Sequence, residues 1–116
     1  MVIKIPFLPI SVNQAYATDF KTRRRFKTKT YEDFKENLGS YLIGKTKEPL
    51  NGDIEIEYNF YYQDKRKRDM LNLEKVMTDC LVYYRIIEDD SLITRMVLER
   101  YYNKGNPCTV IEIKAK

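Results

Sequence analysis

Hydrophobic and polar residues alternate most cleanly from Asp53 onward. Ile54, Ile56, Tyr58, Phe60 and Tyr62 fall on one side of the chain, and Glu55, Glu57 and Asn59 on the other. A period of two predicts a half-buried strand. An earlier apolar run, Val2 to Leu8, predicts a first strand ended by Pro9, since proline cannot donate to a sheet ladder. Between the two, Tyr31, Phe34, Leu38, Tyr41 and Leu42 recur at helical intervals. Thr30 and Asp33 have capping-box spacing, so a helix is expected from there to about Ile43, with Gly44 stopping it and Asn51-Gly52 turning into the next element.

A second helix is expected from Asp69 to Tyr84. Leu73, Val76, Met77, Cys80, Leu81 and Tyr84 form its packing stripe, and Asn72, Lys75 and Asp79 form a polar stripe beside it. The acidic run Glu88-Asp89-Asp90 then precedes a strand over Leu92 to Tyr102. A turn at Lys104 to Pro107 leads to a last strand, Thr109 to Ile113. The order strand, helix, strand, helix, strand, strand predicts an α/β (mixed α+β) fold with two helices packed on one mixed sheet. With 116 residues and no repeat or linker, the chain is expected to form a single domain. Ser11 to Lys29 lacks a sustained apolar period and reads as a long loop of the kind that often carries function.

Composition narrows the chemistry. There is no histidine, which removes serine or cysteine nucleophiles with a histidine base and every two-histidine phosphodiesterase mechanism. Cys80 and Cys108 lack zinc-site spacing and read as core thiols. Any hydrolysis must run on carboxylates and metal. No run approaches the ~18 apolar residues that span a bilayer, and the N-terminus lacks a signal-peptide pattern, so a cytoplasmic protein without a membrane partner is expected.

The net charge of +4 is unevenly placed. Lys21, Arg23, Arg24, Arg25, Lys27 and Lys29 form one basic cluster, interleaved with Phe20 and Phe26, and Lys65, Arg66, Lys67 and Arg68 form another. Outside them the chain is net acidic. Such clusters suit contacts to nucleic-acid phosphates, with the aromatics available for stacking or wedging.

Asp69 opens the second helix and Asp90 follows its end, so the two carboxylates can meet only if the connecting turn folds back. Together they would offer the hard oxygen ligands that magnesium or manganese accepts. The competing reading makes Asp69 a helix-terminus residue and the acidic run a solvated turn.

The stretch Arg68-Asp69-Met70-Leu71-Asn72-Leu73-Glu74-Lys75, followed by Asp79-Cys80-Leu81 and Asp89-Asp90-Ser91-Leu92-Ile93, resembles the RDxDNLxK, DAL and DDSxI signature of RusA-type Holliday-junction resolvases. Pro9-Ile10-Ser11-Val12-Asn13, with Tyr16, is similar to that family's early P-x-S-x-N segment. The resemblance implies a homodimeric endonuclease, common in phages and prophages of bacteria, that nicks four-way and other branched DNA with Mg2+ or Mn2+. By it, Asp69 and Asp90 match the first and last metal-binding acids, Asp89 is the other half of the paired acids, and Lys75 matches the lysine beside the scissile phosphate. Asn72 matches a residue that orients a carboxylate or water, and Asn13 falls in a DNA-contacting segment. Asp79, beside Cys80 and Leu81, reads as structural, and a lone Lys75–Asp79 pair at i+4 is the plainer account of Lys75.

Leu71 stands where the family signature has its second aspartate. Either Glu74, Asp79 or Asp89 supplies the missing oxygen, or the protein binds junctions with weakened cleavage. A small basic RNA-binding domain is the third reading of the same charge pattern.

Overall fold

The computed structural model describes residues 1–116. Its elements are β1 (Val2–Ile5), α1 (Val12–Ala15), β2 (Tyr16–Thr18), β3 (Arg25–Lys27), α2 (Lys29–Leu42), β4 (Ile54–Tyr62), α3 (Met70–Tyr83), a 3-10 turn (Asp90–Leu92), β5 (Ile93–Tyr102) and β6 (Cys108–Ala115). The main sheet has the order β1-β6-β4-β5, with β4 parallel to β5 and antiparallel to β6. The expected mixed α/β architecture is therefore present.

β4 is central because its sequence can be covered: Ile54, Ile56, Tyr58, Phe60 and Tyr62 are all essentially buried. A parallel partner needs a crossover, and α3 supplies it between β4 and β5. Leu73, Val76, Met77, Cys80 and Leu81 of α3 are buried in the same core, while Tyr84 is half-buried and its hydroxyl bonds the Lys35 carbonyl. The turn after β5 carries the chain over the end of β4, where Asn103 N–H donates to the Tyr62 carbonyl at 2.8 Å. β5 and β6 thus flank β4 and do not pair with each other. At the entry to β4, Gly52 has φ of +88°, and a Cβ there would lie 2.3 Å from the Lys116 carbonyl oxygen. Only glycine fits that approach.

Several sequence expectations shift. β1 stops at Ile5, because Pro6 already removes a donor, and Phe7 instead packs edge-on against Phe34 and Tyr41. The N-cap of α2 is Thr28 and not Thr30. The Thr28 hydroxyl accepts from Tyr31 N–H and donates to the Gln14 carbonyl at 2.6 Å, so a tertiary contact selects the cap. Asn59, expected on the exposed side of β4, is only 9% exposed, and its side-chain amide donates to the Val110 carbonyl of the neighbouring strand β6.

The largest difference lies in Ser11 to Lys29. This segment holds α1, capped by a reciprocal Ser11–Gln14 box, followed by a hairpin pairing Tyr16 with Lys27 and Thr18 with Arg25. Strands of three residues leave no period to read. The hairpin turn is closed by Asp19, whose carbonyl accepts from Arg23 N–H and whose carboxylate accepts from Lys21 N–H. Arg23 adopts φ of +57° there. The basic segment is therefore an ordered arm.

Of the cysteines, Cys80 is a buried thiol pushed up to about 11, mainly by burial, whereas Cys108 is half-buried on β6. No helix is long and apolar enough to cross a membrane.

Candidate active cleft and basic arm

The N-terminal half of α3 separates two clefts. One, of about 300 Å³, opens between α3 and the start of β5 and is lined by Glu74, Lys75, Thr78, Asp90, Thr94 and Arg95, among others. The turn after α3 does fold back. It brings Asp90 to Lys75, two of the residues singled out from sequence.

The second cleft, of about 400 Å³, lies near the N-terminal end of the same helix and is lined by Asp69, Asn72, Arg66, Arg68, Ser11 and Gln14, with other residues. Asp69 is the N-cap of α3, its Oδ1 accepting from Leu71 N–H at 3.0 Å. A carboxylate suits that position because it satisfies an otherwise unpaired backbone donor. Asp69 and Asn72 thus share one cleft, and Lys75 and Asp90 the other. Asp69, Asp89 and Asp90 do not form a single group able to hold an ion unaided. Asp89 turns aside: its carboxylate accepts from the Ser91 hydroxyl, which holds it below the usual aspartate range.

Lys75 Nζ lies 2.9 Å from Asp79 Oδ1, the i+4 pair considered from sequence. Its pKa is raised, first by that hydrogen bond and further by the charges of Asp90 and Glu74. The side chain is 55% exposed, so the ammonium remains open to a ligand entering the cleft.

Glu74, one of three candidate oxygen donors in the sequence, is joined here by Thr78, which the sequence did not single out. Tyr58 OH bonds Thr78 Oγ1 at 2.6 Å, and Thr78 Oγ1 donates to Glu74 Oε1 at 2.7 Å. A chain of hydroxyls therefore runs from the core to the cleft floor. The i, i+4 spacing of Glu74 and Thr78 was the available signal, but nothing in the sequence joins Tyr58 to them.

The basic residues divide by what already engages them. Arg25 lies over the Tyr16 ring at 4.2 Å and Lys27 over Tyr31 at 5.6 Å, contacts that stiffen the hairpin. Lys21, Arg23 and Arg24 stand exposed at its tip beside Phe20, which is 95% exposed, with Phe26 following on β3. Lys29 and Asn13 are exposed on the first turns of α2 and α1. In the second cluster, Arg68 is held by Asp64 at 3.1 Å and lies over the Tyr62 ring, and Lys65 lies over Tyr102. Asp64 is lowered below its usual range, first by the Arg68 hydrogen bond. Arg66 also reaches Asp64, at 3.9 Å, while staying exposed, and Lys67 faces solvent.

A mixed sheet crossed by one helix thus carries a lysine-carboxylate cleft on one flank of that helix and a cleft lined by Arg66 and Arg68 near its N-terminal end. A family model described as endodeoxyribonuclease RusA matches residues 6–114, nearly the whole chain, and the protein belongs to that family. Its class is accordingly that of an endodeoxyribonuclease. No curated protein sequence matches the chain as a relative.

Proposed function

We propose that this protein acts as a homodimer that resolves four-way and other branched DNA during recombination and repair, hydrolysing one phosphodiester per subunit with Mg2+ or Mn2+. The observation that carries this reading is the convergence of Lys75 and Asp90 on one cleft in a chain of the RusA family. A two-fold dimer suits a substrate that must be nicked on two opposed strands.

The donor chemistry fits a hard divalent ion. Asp90 and Glu74 are oxygen donors at an open cleft, and magnesium is commonly held by one or two carboxylates together with waters and substrate phosphate. Such an ion supplies Lewis-acid polarisation of the phosphodiester and acidifies a water for attack. Lys75 places a fixed ammonium where charge builds on phosphorus oxygens. Asp79 holds that ammonium on its helix face through a 2.9 Å hydrogen bond. Asp69 acts from the neighbouring cleft, where it fixes the start of α3 and where Asn72, Arg66 and Arg68 can meet the backbone flanking the cut.

The hairpin tip supplies positioning. Removing Lys21, Arg23 and Arg24 together is expected to weaken junction binding and to flatten its dependence on salt, by roughly 0.9 in log–log slope for each phosphate no longer neutralised. Fluorescence anisotropy at several salt concentrations reads this directly. An unchanged slope would take the arm out of the interface.

Leu71, 64% exposed at the head of α3, favours one second reading, junction binding with weakened cleavage. The deciding experiment is cleavage of a labelled four-way junction against matched linear duplex, with Mg2+, with Mn2+ and with chelator. Paired nicks confined to the junction and abolished by chelator are expected. Tight junction binding without nicks supports the second reading, and no preference for the junction overturns both.

A further inference from the structure

We propose that Glu74 has taken over the carboxylate role that position 71 lacks, so that Glu74 and Asp90 together hold the divalent ion beside Lys75. The inference rests on the metal-dependent reading above and names the residue of this chain that completes its site.

Helix geometry relates the two positions. At 3.6 residues per turn, position 74 stands about 60° from position 71 around the axis and position 75 about 40° from it on the other side. Leu71 therefore shares the helix face of Glu74, Lys75 and Thr78, which line the Lys75–Asp90 cleft, and lies one turn toward the N-terminus, outside the lining itself. A carboxylate absent at 71 is regained one turn along the same face at 74.

The side-chain contacts then choose among the available acids. Asp79 is engaged by the Lys75 ammonium at 2.9 Å, and Asp89 by the Ser91 hydroxyl. Neither lines the cleft, whereas Glu74 and Asp90 both do. Glu74 is also held in place. Its Oε1 accepts from Thr78, which is 3% exposed and in turn bonds the fully buried Tyr58 hydroxyl. Only Oε1 is used in that chain, which leaves Oε2 for a cation. A glutamate free in solvent loses considerable rotamer entropy on binding an ion, and this anchoring removes part of that cost in advance. Thr78 and Tyr58 are thus positioning residues.

The test is Mn2+ binding to the full chain without DNA, followed by calorimetry or by the fall in the free-ion paramagnetic resonance signal. Glu74→Gln keeps the acceptor for Thr78 and removes the charge. It is expected to weaken Mn2+ binding tenfold or more, equivalent to about 1.4 kcal/mol, with an unchanged circular dichroism spectrum. Adding Leu71→Asp to that variant is expected to bring the affinity back to about that of the parent. Equal Mn2+ affinity in Glu74→Gln and the parent overturns the inference while leaving the nuclease reading intact. Junction cleavage that persists in chelator overturns instead the metal-dependent reading on which it rests.

Discussion

Replacing Lys75 with alanine is expected to slow junction cleavage by roughly 10²- to 10³-fold, the usual cost of removing one preorganised charge from a transition state. Junction affinity should change little, because the hairpin arm and the Arg66 to Arg68 segment are untouched. The alternative account of Lys75, a surface pair with Asp79, predicts a different scale. An exposed i, i+4 pair contributes only about 0.3–0.5 kcal/mol to stability and nothing to the chemical step. Single-turnover cleavage and thermal unfolding on the same variant separate the two: a large rate loss with a nearly unchanged melting temperature supports the catalytic role. A normal rate would reduce Lys75 to the surface pair. The pH dependence follows from the direction of its shift. Contact with Asp79 first, then Asp90 and Glu74, raises the lysine above its ordinary value of 10.5. The ammonium is therefore retained through neutral pH and lost only as pH rises past that value. No alkaline fall in rate below the ordinary lysine range should trace to this residue, and Lys75→Arg should leave the shape of the profile there unchanged.

Leu71→Asp is expected to tighten Mn2+ binding roughly tenfold and to raise the cleavage rate in step. Unit charges 4 Å apart interact by about 1 kcal/mol in bulk water and about 4 kcal/mol at the effective dielectric of a protein surface. Even the lower figure, doubled for a divalent ion, reaches a tenfold change. The substitution should be structurally easy. Leu71 is 64% exposed, so little packing is lost, and an acid in the first turn of α3 is favoured by the helix dipole. Calorimetric Mn2+ titration of parent and variant, paired with junction cleavage, measures both effects. Unaltered metal affinity would mean that position 71 does not address the Lys75–Asp90 cleft.

Much of this protein is legible without its fold. β4 is readable because burial of Ile54, Ile56, Tyr58, Phe60 and Tyr62 writes a period of two into the chain. The packing stripe of α3 is readable for the same reason at 3.6. The motif around Asp69, Asn72 and Lys75 points to the family that nearly the whole chain matches. Local sequence thus determined most of the residues that face the core, the approximate course of the two long helices and which residue types are available for chemistry.

Three things were decided only by tertiary structure. The hairpin of Tyr16 to Lys27 leaves no mark in the sequence because its short strands depend on pairing and on rings stacked beneath Arg25 and Lys27, contacts that no local period encodes. The α2 cap moved to Thr28 because its hydroxyl also binds the Gln14 carbonyl across space. Above all, the partition of acids between two clefts follows from the parallel crossover, which returns Asp90 to the flank of α3 bearing Glu74 and Lys75 while Asp69 caps the helix. Periodicity records whether a side chain is covered. It carries no information about which distant residue does the covering, and a catalytic site is made of such distances.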